Sequence, residues 1–157
     1  MGLCCLVCIW SSQAGCIVES ALAAPAQAER LAGLALLTFR SRSLSTDALL
    51  RLTQPLLNDL RAEVVIATLR LLQRRQEPEI LAVLDSCIDA DQLPGVAETA
   101  IQALGCIGSQ DSCLLLIARM RQQQPSRLES CIRRQLQAQV RQRAWLEQQL
   151  RELNLTL

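Results

Sequence analysis

The feature that most constrains the fold is an internal repeat with a period of about 32 residues. The segment LGCIGSQDSC at Leu104–Cys113 resembles LVCIWSSQAGC at Leu6–Cys16, with one residue inserted, and the two copies lie about three periods apart. Intermediate copies fall at Ala35–Leu52 and Ala67–Leu84, where this period places them, and a last copy begins at Pro125. Because each copy reads as a helix, a polar break and a second helix, we predict a chain of repeated helix pairs.

The composition also favours helices. Half of the 157 residues are hydrophobic, enough for a continuous core, whereas aromatic residues make up only 2%. Ala and Leu dominate and β-branched runs are scarce, which favours helix over strand. The helix pairs are predicted at residues 16–23 with 26–40, 46–57 with 61–75, 79–88 with 96–107, and 112–122 with 126 onward.

The columns of the repeat separate apolar from polar positions. Two columns are predicted to face the core. The first consists of Ala32, Val64, Val96 and Leu128. The second consists of Arg40, Leu72, Leu104 and Leu136, with Arg40 as the exception to the apolar pattern. A third column is polar and is predicted to face solvent on the same side of every repeat: Thr38, Arg70, Gln102 and Arg134.

The strongest copy, at 96–116, resembles the HEAT-like repeats of the phycobiliprotein-lyase type. The resemblance is carried by Val96, Ala100, Ala103-Leu104-Gly105, Ile107-Gly108, Asp111 and Leu115-Leu116. Asp111 is also expected to cap the helix that follows the Ile-Gly break. Arg often follows the helix-opening Val in this family, and here that place holds Ala97. The resemblance extends over roughly residues 14–143.

This resemblance implies an all-α fold, a right-handed α-solenoid (α-α superhelix) of about four HEAT-like helix pairs with a long C-terminal helix. We place an apolar N-terminal segment at residues 1–13, the HEAT-like repeats at 14–125, and a long capping helix and tail at 126–157. Proteins with such repeats include adaptors, assembly factors and bilin lyases, so the resemblance implies a fold more firmly than a function.

Residues 1–13 have two interpretations. Leu6–Ile9 matches the end of a second helix, as if the chain started inside a solenoid. The apolar run Leu3–Trp10 is alternatively a targeting segment, but it has only eight residues and no basic region before it. The lipoprotein-like and acylation-like motifs there are each broken at one position, Gln13 and Leu6 respectively. No run reaches the ~18 apolar residues of a membrane span.

The helical pattern from Ser126 to Glu152 predicts one helix about 40 Å long. Leu128, Ile132, Leu136 and Val140 form an apolar stripe along it. One interpretation is a cap that covers the last apolar face of the solenoid. The other is a projecting helix that pairs with a partner or with another copy, with Trp145 as the anchor.

The sequence predicts no catalytic residue, no cofactor and no metal site, so an enzyme is not favoured. The chain has neither His nor Lys, which removes the usual general base and Schiff-base chemistry. The CxxC at Cys5–Cys8 lacks the second pair that a zinc site needs. Eight cysteines without a disulfide pattern indicate a reducing, cytoplasmic location. Four of them fall at core-like helical positions and are expected to be buried: Cys87, Cys106, Cys113 and Cys131.

Charge is distributed unevenly along a chain whose net charge is only +1. Residues 119–157 carry eight Arg and three acids, whereas residues 1–118 carry eight Arg and twelve acids. This basic end is either a solvated helix surface or a surface for an acidic protein, a phosphate or a carboxylate. Nucleic acid is not favoured because aromatic stacking residues do not accompany the charge.

We therefore predict a protein-binding scaffold, an adaptor or assembly factor whose concave face contacts another protein. The predicted contact residues are Thr38, Arg70, Gln102, Arg134, Arg141 and Trp145. A polar column is also what any solvent-facing helix surface provides, so the pattern alone does not decide between the two. A bilin lyase or chromophore-attachment chaperone subunit and a HEAT-fold nucleic-acid binder are the alternative functions.

Overall fold

The computed structural model describes residues 15–89, 93–122 and 126–155. These residues form nine helices and no strand, which confirms the all-α solenoid class. The helices are α1 (15–23), α2 (Gln27–Arg40), α3 (Thr46–Leu57), α4 (Ala62–Leu72), α5 (Pro78–Asp89), α6 (Val96–Ile107), α7 (Gln110–Arg121), α8 (Ser126–Val140) and α9 (Ala144–Glu152). The interpretations of residues 1–13 lie outside the described residues.

The contacts between residues divide the chain into two compact units, Met1–Leu71 and Leu72–Leu157. Unit 1 contains α1 to α3 and all but the last residue of α4; unit 2 contains α5 to α9.

Unit 2 shows how the helix pairs stack. The first helix α5 packs against the next first helix α7, and the second helix α6 packs against the next second helix α8. Each pair therefore repeats the position of the preceding pair, as in a solenoid. The core between the pairs is apolar; its fully buried members include Leu84, Ile101, Leu104, Leu116 and Ile132.

Local signals set the helix ends. The Ser45 and Ser109 hydroxyls cap α3 and α7 by accepting hydrogen bonds from the backbone N–H groups of Ala48 and Ser112. The expected cap, Asp111, lies instead in the first turn of α7, where its charge favours the positive end of the helix. Gly108 ends α6 in the left-handed conformation with φ of 56°, and its N–H bonds the Leu104 carbonyl.

The expected long C-terminal helix is divided in two: α8 ends at Val140 and α9 begins at Ala144. Leu146 and Leu150 on α9 are both buried. α8 packs against α6 and α7, and α9 packs against α8.

Candidate protein-interaction surface

The polar column is exposed on three of the four second helices. Arg70 on α4, Gln102 on α6 and Arg134 on α8 are exposed, as predicted. Thr38 on α2 is half-buried, and its hydroxyl donates a 2.8 Å hydrogen bond to the Leu34 carbonyl of its own helix. Thr38 therefore has no free donor for a partner.

Within unit 2, Gln102 and Arg134 lie on helices in direct contact. The Cys131 thiol lies 3.9 Å from the Glu98 carbonyl oxygen, and Gln139 Nε2 donates a 2.8 Å hydrogen bond to the Gly105 carbonyl. These two contacts bracket positions 102 and 134 along α6 and α8. Gln102 and Arg134 are therefore neighbours on one surface.

Glycine makes this close approach of α6 and α8 possible. A Cβ atom added at Gly105 would lie 2.9 Å from Gln135 Cβ, closer than real Cβ contacts occur. The family-like Ala-Leu-Gly at 103–105 thus has a structural reason, because only glycine leaves room for the side chain of the next second helix.

Three exposed arginines lie at intervals of seven residues. Arg127 and Arg134 are on α8, and Arg141 is the first residue after it. Arg127 Nε bonds Glu98 Oε1 at 2.6 Å, which neutralises it. No carboxylate in the described part of the chain pairs with Arg134 or Arg141, so their charges remain available for a ligand.

Three further arginines of the basic end are paired with carboxylates and contribute little to its field. Arg133 bonds Glu129 and Arg151 bonds Glu147, both one helical turn apart. Arg119 is buried between α5 and α7, where it donates to both carboxylate oxygens of Asp85 and of Asp89. These bonds raise the pKa of Arg119 and, in return, lower that of Asp89.

A second buried ion cluster lies in unit 1. Asp59 accepts hydrogen bonds from Arg30, from the guanidinium of Arg61 and from the backbone N–H of Arg61. The Arg61 guanidinium is the largest cause of a lowered pKa of about 2 for Asp59, with further contributions from the Arg61 N–H and Arg30. Arg61 also donates to the Pro25 carbonyl at 3.0 Å, so the cluster joins the starts of α2 and α4. In both clusters every aspartate is paired with an arginine.

Three of the four core-like cysteines are buried as predicted: Cys87, Cys113 and Cys131. Burial raises the pKa of each thiol, which makes them poor nucleophiles. Cys106 is exposed, so the prediction is wrong for this residue. It lies one turn after Gln102 on the outer face of α6, a spacing that was readable from the sequence.

An open polar cleft lies beside Cys106. Its volume is about 330 Å³, and it is lined by Gln73, Arg74, Arg75, Gln76, Glu77, Cys106 and Ile107. Arg75 bonds Glu77, which lowers the pKa of that carboxyl, so Arg74 is the cation that the cleft offers most directly.

Arg141 and Trp145 flank the break between α8 and α9. Arg141 is exposed, whereas Trp145 is half-buried on α9 next to the buried Leu146. Trp145 thus gives only part of its ring surface to solvent.

Within the described residues, no cluster of His, Cys, Asp and Glu is arranged to hold a metal ion, and no helix is long and apolar enough to cross a membrane.

Comparison with known proteins gives one match. The family model described as HEAT repeats matches residues 47–137, more than half of the chain. No curated protein and no solved structure matches the chain.

Proposed function

We propose that this chain, which belongs to the HEAT-repeat family, is a protein-binding scaffold that recognises an acidic protein surface. The proposed contact surface consists of Gln102, Arg134 and Arg141 in unit 2, with Trp145 at its edge; Arg70 is the exposed residue of the same repeat column in unit 1. HEAT repeats commonly serve as protein-interaction scaffolds, which supports the general function. An adaptor or assembly factor is the role that this surface fits best.

One observation carries the proposal: Arg134 and Arg141 are exposed and unpaired with any described carboxylate, whereas Arg127 and Arg133 are paired with Glu98 and Glu129. An unpaired guanidinium on a helix binds carboxylates through two parallel hydrogen bonds. The backbone that carries these side chains is fixed by α6–α8 packing, so less conformational entropy is lost on binding.

The test uses the full chain as bait in a cell extract, with bound proteins quantified by mass spectrometry. The bait variant carries Arg134→Glu and Arg141→Glu. The matched control carries Arg51→Glu and Arg121→Glu, which change the charge equally at exposed positions on the first helices α3 and α7. We expect the first variant to lose captured partners roughly tenfold and the control to retain them.

Equal recovery by both variants would contradict the proposed surface. A separate Arg70→Glu bait tests whether the residue of this column on α4 also contributes to binding, and a moderate loss is expected. Nuclease treatment before capture distinguishes the nucleic-acid alternative, because partners bridged by RNA or DNA would disappear from every bait.

The bilin-lyase alternative rests on the resemblance at 96–116 and on the polar cleft beside Cys106, where Arg74 suits a propionate group. Its test is absorbance after mixing a free bilin with micromolar protein. A spectral shift that Arg74→Glu removes would support this alternative, and an unchanged spectrum would remove it.

A further inference from the structure

The outer face of the first helix pair in unit 1 is apolar and exposed. Ile17 on α1 is 61% exposed, and Leu36 and Phe39 on α2 are 46% and 87% exposed. Ala32 and Ala35 are exposed between them on the same side of α2. An open groove of about 820 Å³ continues this face toward Pro25. Exposed apolar surface of this extent marks an interaction site in a folded protein.

The corresponding positions in unit 2 are covered by a neighbouring helix pair. Three periods of about 32 residues after Ile17, Ala32 and Leu36 come Cys113, Leu128 and Ile132 on α7 and α8. None of these three is more than 5% exposed, because α5 and α6 pack over them. The face on α1 and α2 is therefore a stacking surface of the repeat.

We infer that this face joins two copies of the chain in a symmetric dimer, with α2 of one copy antiparallel to α2 of the other. Antiparallel pairing centred on Ala35 would place Phe39 of each copy against the small residues Ala28 and Ala32 of the other. Small residues at the centre let two helices approach closely, and Phe39 supplies the large apolar anchor.

Charge complementarity favours this occupant. Glu29 and Arg40 lie eleven residues apart on α2, within about 20° of each other around the helix and about 16 Å apart along it. In an antiparallel pair centred on Ala35, Glu29 of each copy lies beside Arg40 of the other. The two acid–base contacts flank the apolar centre and fix the register of the pair.

The dimer surface is separate from the proposed partner surface, so the two proposals fail independently. The experiment is sedimentation velocity on the full chain across a concentration series up to about 100 μM. We expect a dimer for the wild type and a monomer for Phe39→Asp. The control Leu60→Asp changes an exposed apolar residue outside this face, and this variant should remain a dimer. Leu60 is 91% exposed.

A charge exchange tests the register. Glu29→Arg alone should weaken dimerisation at least tenfold, and Glu29→Arg combined with Arg40→Glu should restore it. Two results would overturn the inference. One is a wild type that stays monomeric throughout the concentration series, as expected if another segment or protein covers the face. The other is a Phe39→Asp variant that still forms a dimer.

Discussion

The two units bury opposite charges in clusters that join consecutive helix pairs. In unit 1 the buried group is the acid Asp59, held by two partly exposed arginines; in unit 2 it is the base Arg119, held by two aspartates. The long-range bonds of these clusters link residues 29 to 36 positions apart, which spans the repeat period. In each unit, polar bonds therefore link neighbouring helix pairs, and either sign of charge can occupy the buried centre.

Among substitutions in the two clusters, we expect the largest loss of stability at Arg119. Replacing it by Met removes five hydrogen bonds and leaves Asp85 and Asp89 without their shared cation. We expect the free energy of unfolding to fall by about 3 kcal/mol. Urea denaturation measures it, with Arg121→Met on the same helix as a control within about 0.5 kcal/mol. Equal stability of the two variants would show that the cluster does not hold α5 to α7.

The unit 1 cluster should be less sensitive to the loss of its buried member. Asp59→Asn is expected to cost about 2 kcal/mol, because Arg30 and Arg61 are partly exposed and can be hydrated once the carboxylate is gone. Asp47→Asn, an exposed change in the first turn of α3, is the control. If Asp59→Asn lowers the free energy of unfolding more than Arg119→Met does, the predicted order of the two clusters is wrong.

Acid should remove the Asp59 contribution within a defined range of pH. The pKa of Asp59 falls from 3.8 to about 2 on folding, so the unfolded state binds a proton first as pH decreases. The stability that the ionised carboxyl supplies is complete above about pH 4 and is lost as pH falls toward 2. The difference in unfolding free energy between wild type and Asp59→Asn should shrink over that range. A difference that stays constant would contradict the assigned pKa.

Smaller effects are expected at the glycines where helices approach closely. Gly105→Ala should cost about 1.5 kcal/mol, because its Cβ would press on Gln135 Cβ at 2.9 Å, beside the backbone of α8. Gly33→Ala in unit 1 meets Ala21 and Leu22 at 3.0 Å, and the gain in helix propensity offsets much of this strain. Thermal unfolding of the two variants measures both effects. A Gly33→Ala protein less stable than Gly105→Ala would indicate that α1 and α2 pack more tightly than α6 and α8.

The sequence was sufficient to predict the helix pairs because their apolar columns recur at a fixed period. The division of the C-terminal helix could not be predicted in this way. Leu146 and Leu150 repeat the helical positions of Leu128 and Ile132, five turns earlier, so the apolar pattern also fits an unbroken helix.

Other features depend on information that one chain's pattern does not contain. The bonds of Arg119 to Asp85 and Asp89 depend on the register between α5 and α7, which the spacing of residues along the chain does not give. An apolar column also does not show whether a neighbour covers it, so the exposure of Phe39 could not be predicted. The exposure of the polar column on α4, α6 and α8 was predicted correctly. The ion pairs that leave only some arginines available were not predicted.

The central claim is that second helices one period apart lie side by side, and cross-linking tests it most directly. Cys106 on α6 is exposed, and Ala138, one period of about 32 residues later, is exposed on α8. A short bismaleimide should join Cys106 to the new thiol in Ala138→Cys, because adjacent helix axes lie about 10 Å apart. The control Ala118→Cys places its thiol on the first helix α7 and should not form this link. Peptide mapping that finds Cys106 joined to position 138 supports the account, and a link to position 118 that is equal or stronger would contradict it.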